Sequence, residues 1–374
     1  MKILYIHQHF STPSGATGIR SYEMARYLTE KGHSVTVVCG SYGSAKTGIT
    51  SPFENGVRRG SVEGFNVIEF ELPYSNRDEF FKRAWTFLCF AFQSIKLVFE
   101  EQYDLLFATS TPLTAAIPGI IARLFGKGIF VFEVRDLWPE LPRAMGVIRN
   151  PLLLLGMGIL ERIAYHCAHG CIGLSPGICK GIEKKGIAPK RINFIPNGCD
   201  LEIFGADNIS KPDEIRDTDF VAIYSGTHGI ANGLDAVLNA AKVLKLRGRK
   251  DIKIAFIGEG KTKDDLMRKA SRENLDNCLF YPPMNKADLA AFLNRANIGL
   301  MILDNVPAFY YGTSPNKFFD YIAAGKPVLN NYPGWLTDLI HEWKCGFAIQ
   351  PDNPEVFADT LETAANDLSQ LEIM

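Results

Sequence analysis

Short continuous apolar runs alternate along this chain with stretches whose apolar residues recur every three to four positions. The runs at 3–6, 34–39, 66–71, 105–108, 129–133, 171–174 and 192–195 read as strands. Strands buried on both faces lose the in–out alternation and become uniformly apolar, as these mostly are. Helical patterns separate them. One spans 19–31 and stops at Gly32-His33, just before the next run. The alternation predicts a doubly wound parallel sheet. A polar stretch, 205–219, then reads as a linker, and the alternation restarts with runs at 222–224, 254–257, 279–281 and 298–303. The pattern therefore predicts an α/β protein with one domain over 1–204 and a second over 220–374. The last helix, 354–368, is free to cross back to the first domain. Loops at the strand C-terminal ends of two such domains form a cleft suited to a ligand.

Composition narrows the class. Of the 374 residues, 47% are hydrophobic and 22% charged, which suits a globular chain with ample core material. The net charge of −1 gives no global attraction to nucleic acid. Eight cysteines are scattered without paired spacing, and the chain starts as a strand rather than a signal peptide. These features place it in a reducing cytoplasm. His166-Cys167-Ala-His169-Gly-Cys171 fits no common zinc spacing and reads as buried and inert. No metal or cofactor site is expected.

The densest candidate chemistry lies at 311–328. Pro315 suits a helix start, and Gly325 followed by Pro327 stops that helix. A helix start presents unpaired N–H groups and partial positive charge. Lys317 adds a full charge in the first turn, and Asp320 lies three residues on, on the same face. A cation at a helix start suits a diphosphate, and a carboxylate suits sugar hydroxyls. A capped helix with a local Lys317–Asp320 pair would satisfy the same pattern.

Asp320-Tyr-Ile-Ala-Ala-Gly-Lys-Pro-Val resembles the donor motif of retaining GT-B glycosyltransferases of family 4. There an acidic residue precedes Ala-x-Ala-x-Gly-x-Pro-Val and holds the ribose of a nucleotide sugar. Ser314-Pro315-Asn316-Lys317 is similar to the branch that builds bacterial surface polysaccharides, O-antigen and capsule amino-sugar transferases among them. The resemblance implies two Rossmann-like doubly wound domains facing across a cleft, with acceptor bound by the first and nucleotide sugar by the second. Gly312 stands where many members carry a second Glu that contacts the donor sugar.

Further residues follow from the same resemblance. Ser225-Gly226-Thr227-His228-Gly229 opens the second domain, where relatives place an Arg and a Lys on the diphosphate. His228 and Asn232 hold the comparable places. Gly258-x-Gly260 matches the short glycine loop of the family; the nearby Gly260-Lys261-Thr262 lacks the first glycine of a P-loop. Together with Ser314, Pro315, Asn316, Lys317 and Asp320, residues Gly226, Thr227, His228, Gly258 and Gly260 make the expected donor set. In the first domain, Gly15, Thr17, Gly18 and Arg20 follow the first strand and are expected to face the cleft. Arg135, Asp136, Trp138 and Glu140 end another strand. Relatives carry a sugar-contacting His where this chain has Arg135. Asp136 and Arg135, with Lys317, are the expected catalytic groups, and Trp138 and Glu140 join the acceptor loop. An Arg135–Asp136 pair that merely fixes the loop also fits. Pro196-Asn197-Gly198-Cys-Asp200 is read as hinge geometry first.

The stretch 80–99 is dense in aromatic residues and carries Lys82, Arg83 and Lys96. Its polar residues argue against a spanning helix. It fits either an interfacial helix or a helix buried on the sheet. The apolar run 151–160 is a second candidate for membrane or acceptor contact. The expected activity is transfer of a sugar, an N-acetylated amino sugar among the candidates, from a UDP-linked donor to a lipid-linked saccharide with retention. The site of action would be the inner face of a bacterial plasma membrane. The alternatives are a non-catalytic sugar-nucleotide-binding or scaffold subunit, and a GT-B epimerase acting on a UDP-sugar.

Overall fold

The apolar runs become two sheets. The first contains β1 (Lys2–Ile6), β2 (Ser34–Tyr42), β3 (Val57–Val62), β4 (Phe65–Tyr74), β5 (Leu105–Thr109), β6 (Ile129–Val134), β7 (Gly170–Gly173) and β8 (Ile192–Phe194). They lie in the order β3-β4-β2-β1-β5-β6-β7-β8. Neighbours are parallel except β3 and β4. The computed structural model describes residues 1–374 other than 44, 76–77 and 205–214. Most of the expected linker 205–219 therefore lies outside the described residues.

Among the described residues the α-helices with this sheet are α1 (Arg20–Glu30), α2 (Phe80–Glu100), α3 (Ala116–Leu124), α4 (Glu140–Ala144), α5 (Pro151–Cys167) and α6 (Pro176–Lys184). Alternate residues of β1 feed opposite cores, as the two-residue strand period requires. Leu4 and Ile6 join Phe90 and Leu97 of α2, Ile120 of α3 and Tyr165 of α5. Ile3 and Tyr5 join Tyr22 and Ala25 of α1. The β3–β4 hairpin was not read from the sequence. Its strand Val57-Arg-Arg-Gly-Ser-Val62 is an edge strand with polar residues on both faces, so it lacks an apolar run. Glu63 (φ 46°) and Gly64 (φ 90°) make its turn.

The second sheet orders β9 (Phe220–Ser225), β10 (Ile252–Ile257), β11 (Cys278–Tyr281), β12 (Ile298–Met301), β13 (Val328–Asn330) and β14 (Gly346–Ala348) as β11-β10-β9-β12-β13-β14. All of its pairs are parallel. Strands β13 and β14, three residues each, are too short to stand out in sequence. Helices here are α7 (Leu201–Phe204), α8 (Asp235–Leu246), α9 (Lys263–Arg272), α10 (Lys286–Leu293), α11 (Pro307–Gly312), α12 (Asn316–Ala323), α13 (Trp335–Trp343), α14 (Pro354–Asn366) and α15 (Leu368–Ile373).

The chain divides into two compact units, Met1–Asn197 with Tyr311–Ser314, and Gly198–Tyr310 with Pro315–Met374. The first unit thus ends earlier than the expected residue 204: α7 packs on α10 and α12, and its Phe204 is buried there. Phe357 and Leu361 of α14 and Leu371 of α15 lie in the second core beside α8. Each unit is described by itself below.

Candidate functional site

In the second unit, β9 is followed by Gly226 and Thr227, both exposed. Gly226 has φ +142°, a conformation that favours glycine. The following loop, after β10, supports it from below. Gly226 N–H donates to the Ile257 carbonyl at 2.9 Å, and His228 N–H to the Glu259 carbonyl at 2.9 Å. A Cβ on Gly258 would run into the Gly226 carbonyl, and one on Gly260 into the His228 carbonyl. Gly258 and Gly260 were expected to face the nucleotide. They are buried instead, and they let two backbones touch. Lys263 donates to the carbonyls of Gly258 (2.7 Å) and Tyr281 (2.9 Å), fixing this second loop.

His228 does not supply the missing cation. Its ring is fully buried between Tyr224 and Phe256, and neither ring nitrogen has a hydrogen-bond partner. Burial first, then Lys263 and Lys317, pull its pKa down to about 4, so it is neutral at physiological pH. What this loop offers outward is the backbone of Gly226 and Thr227.

A cation reaches this loop from another element, at Lys317. Pro315 is the N-cap of α12 rather than a residue of its first turn, Asn316 is the first helical residue, and Lys317 the second. The Lys317 ammonium donates to Tyr224 Oη at 2.8 Å, with Asn232 Oδ1 at 3.4 Å, and lies 4.1 Å from the centre of the Tyr224 ring. Tyr224 Oη donates in turn to the Thr227 carbonyl at 2.8 Å, which leaves its lone pair for the lysine. Gly226 makes the room: a Cβ there would stand 3.1 Å from Lys317 Cε. Tyr321 Oη lies 2.9 Å from Ser225 N and 3.1 Å from Ser225 Oγ, tying α12 to the end of β9. Among the described residues no carboxylate lies within ion-pair distance of Lys317. Burial pushes its pKa down to about 7, with Asp320 pulling the other way.

The local Lys317–Asp320 pair is not formed. Asp320 is buried and pairs with Lys286 of α10 at 2.6 Å. Burial raises its carboxyl pKa against Lys286 and Lys317. Lys286 was not found from the sequence, because nothing in 286–293 marks it as facing 320. Ser314 also departs from expectation. Its hydroxyl accepts from Asn197 N–H at 3.2 Å and its carbonyl accepts from the Asn197 amide, so both are engaged within the first unit. A Cβ at Gly312 would meet nothing within 4 Å. A cavity of about 460 Å³ opens beside Gly229, but it is lined by Asp235, Asp304 and Asp352 and excludes Lys317. Its charge is wrong for a diphosphate.

In the first unit the expected residues separate into two groups. Arg20 was expected to face the cleft but is locked inside the unit. It donates to Glu133 through Nε (3.0 Å) and Nη2 (2.8 Å), and to the carbonyls of Pro196 and Ile195. Only 7% of its side chain is exposed, and Glu133 has none exposed. Trp138 packs against the first core, and its indole N–H is buried without a partner. Gly15 is buried, its N–H donating to the Thr12 carbonyl at 3.0 Å. Thr17 and Gly18 stay half-buried, and the Thr17 hydroxyl has no partner. Glu140 is exposed at the start of α4, 3.7 Å from Lys185.

Arg135 and Asp136 remain half-buried beyond the end of β6. They are not joined as an ion pair. Asp136 accepts from Thr111 Oγ1 at 3.1 Å, and burial raises its carboxyl pKa against Arg135 and Thr111. The Arg135 guanidinium lies 3.4 Å from His7 Nε2, while His7 Nδ1 lies 2.7 Å from Ser21 Oγ. Burial, Arg135, His9 and Arg20 hold His7 well below its usual range, so its ring is neutral and Nε2 can accept. His7 escaped the sequence reading because it extends an apolar run. Among the described residues no three His, Cys, Asp or Glu side chains are grouped as a metal site, and no helix is long and apolar enough to cross a membrane.

Comparison with known proteins gives a consistent picture. Residues 17–203 match the model of Glycosyltransferase Family 4, and residues 206–373 match that of Glycosyl transferases group 1. The putative colanic acid biosynthesis glycosyl transferase WcaI of Escherichia coli (strain K12) is 25% identical over 171 residues. That match spans 44% of this chain and 41% of WcaI, less than half of the relative's length. Anabaena Alr3699/HepE, solved in complex with UDP and glucose, superposes with a TM-score of 0.71 at 17% identity, over 100% of this chain and 92% of that one. WaaG, a glycosyltransferase involved in lipopolysaccharide biosynthesis, gives 0.69 at 16% identity over 99% and 92%. These likenesses establish the two-domain GT-B fold.

Proposed function

Because the chain belongs to glycosyltransferase family 4, we propose that it moves a sugar from a UDP-linked donor to a lipid-linked saccharide with retention, in bacterial surface-polysaccharide assembly. One observation carries the donor assignment. Lys317 is held by neutral partners only, at the start of α12 and beneath the exposed backbone of Gly226 and Thr227. A cation seated this way lacks a counter-ion, and a diphosphate supplies one. HepE, solved with UDP and glucose, supports the nucleotide. The names of WcaI and WaaG support the pathway class.

Glycosidic cleavage releases a nucleoside diphosphate, whose growing charge must be stabilised in place. Lys317 and the first N–H groups of α12 serve that role in this proposal, so no metal is assigned to it. Asp320 holds the ribose, exchanging part of its bond to Lys286 for sugar hydroxyls. Asp136 and Arg135 line the reacting side in the first unit, where a neutral His7 orients the guanidinium. No carboxylate is assigned as a nucleophile, and attack on the same face as departure is the working mechanism. The acceptor's lipid places the reaction at the inner face of the plasma membrane.

The test is a thermal-shift screen of UDP-sugars, followed by transfer to lipid-linked saccharides with and without EDTA. Transfer that forms the same anomer as the donor and survives EDTA is expected. Tight UDP-sugar binding with no transfer and no hydrolysis would make the chain a binding subunit. Interconversion of UDP-sugars without acceptor would make it an epimerase.

A further inference from the structure

Helices α2, α3 and α5 form one layer on one face of the first sheet. Phe90 and Leu97, Ile120, and Ala164 and Tyr165 turn inward to the same core. α3 lies between the other two, packed on both. The sequence left open whether 80–99 is core or surface. It is both. Thr86, Phe90, Ala91, Ser94, Leu97 and Val98 are buried, while Phe81, Trp85, Leu88, Phe92 and Phe99 are exposed. The exposed set follows i, i+4, i+7, i+11, i+18, a single stripe on the helix. Phe81 is 82% exposed and Trp85 69%.

A second stripe runs along α5. Leu152, Leu155, Ile159 and Ile163 are all exposed at spacings of three and four, with Leu152 at 77%. Leu124 and Phe125, also exposed, lie at the end of α3, where Phe125 meets Phe99 at 5.3 Å between ring centres. So many large apolar side chains exposed on one helical layer mark an interaction surface.

Charge decides what covers it. Lys96 occupies the open place in the α2 stripe, and Arg162 sits within the α5 stripe. The outer faces of α3 and α5 carry no carboxylate, because Glu161, the one acidic residue in either helix, is buried. Among the described residues Arg123, Lys127, Arg149 and Arg162 have no carboxylate within ion-pair distance, whereas Lys82 pairs with Asp78 and Lys96 with Glu100. A protein interface excludes charge from its centre. At a bilayer, long cationic side chains lie over apolar neighbours and extend to lipid phosphates.

We propose that the outer face of the α2–α3–α5 layer docks on an anionic bilayer, with the α2 and α5 stripes both entering the headgroup boundary. This deepens the reading of a lipid-linked acceptor and extends the contact from 80–99 to α5. The test sediments the full chain with phosphatidylcholine vesicles, with and without phosphatidylglycerol, at low and high salt. Wild type is expected to bind phosphatidylglycerol vesicles and to weaken with salt. The variant Leu155→Glu with Ile159→Glu, and the variant Trp85→Glu with Phe92→Glu, should each bind at least about tenfold more weakly. Their thermal midpoints and UDP affinity should match wild type. Absence of wild-type sedimentation, or wild-type binding by the α5 variant, overturns the proposal. So does a dimer in light scattering that the α5 variant dissolves, which would give the face to a second copy. UDP affinity on the same samples separates this failure from failure of the transferase reading.

Discussion

Lys317 makes the affinity for UDP depend on pH in a direction that can be worked out beforehand. In the free protein its pKa lies at about 7, because burial outweighs the pull of Asp320. A diphosphate pairs with the charged amine, so above this pKa binding must first protonate it. Each pH unit then costs about 1.36 kcal/mol, approaching a tenfold loss in affinity. Between pH 7.5 and 8.5 the charged fraction of a group titrating at about 7 falls roughly eightfold, and Kd should rise by that factor. The diphosphate itself finishes ionising near about pH 6 and adds little in this window. Titration calorimetry in two buffers of different ionisation heat should show uptake of about 0.8 proton at pH 7.5, rising towards one at pH 8.5. Lys317→Met should flatten the profile and weaken binding at pH 6.5 by about 1.5–3 kcal/mol, the scale of a charged hydrogen bond. The sign for stability runs oppositely. The folded pKa is depressed, so this residue's contribution to the ligand-free protein is complete above the ordinary lysine value. It is lost as pH falls from there through about 7. A flat Kd from pH 7.5 to 8.5 with no proton uptake would refute the phosphate contact or the buried amine behind it.

Three further outcomes follow from the packing. Asp320→Asn and Lys286→Met should each destabilise the chain by about 3–5 kcal/mol, because each strands a buried partner. Thermal unfolding should show the double variant recovering much of this, with UDP affinity lost wherever Asp320 is absent; equal UDP loss in Lys286→Met alone would reduce Asp320 to a structural anchor. Gly258→Ala forces φ +138° on a residue with a Cβ and drives that Cβ at the Gly226 carbonyl, so it should cost about 1–3 kcal/mol or more and lower UDP affinity; unchanged affinity would mean that the glycine loops do not shape the seat. Arg20→Met should cost about 3–5 kcal/mol by stranding Glu133, which a drop in thermal midpoint reports; little change would contradict the buried pair.

The sequence alone determined most of the elements and their class. Continuous apolar runs at 3–6, 105–108 and 254–257 can be buried only on both faces, so the parallel sheets followed from them. The motif at 314–328 located α12 and with it Lys317 and Asp320. Local patterns carry such information because period and capping are properties of neighbouring residues. Partners are not. That Asp320 meets Lys286, 34 residues away, and that Lys317 turns to Tyr224, 93 residues away, depends on which strands lie side by side. The strand order β10-β9-β12-β13 decides that, and no spacing in the chain encodes it. The same holds for the buried ring of His228, the Arg20–Glu133 lock, and the glycines at 258 and 260. Each of these meets a part of the chain remote in sequence: a ring for His228, a carboxylate for Arg20, and backbone for the two glycines. The polar edge strand β3 and the short strands β13 and β14 were illegible for a related reason: pairing, not apolar content, makes them strands. For α2 the sequence left open an interfacial or a buried helix, and only the packed layer showed which side chains are buried and which remain outside.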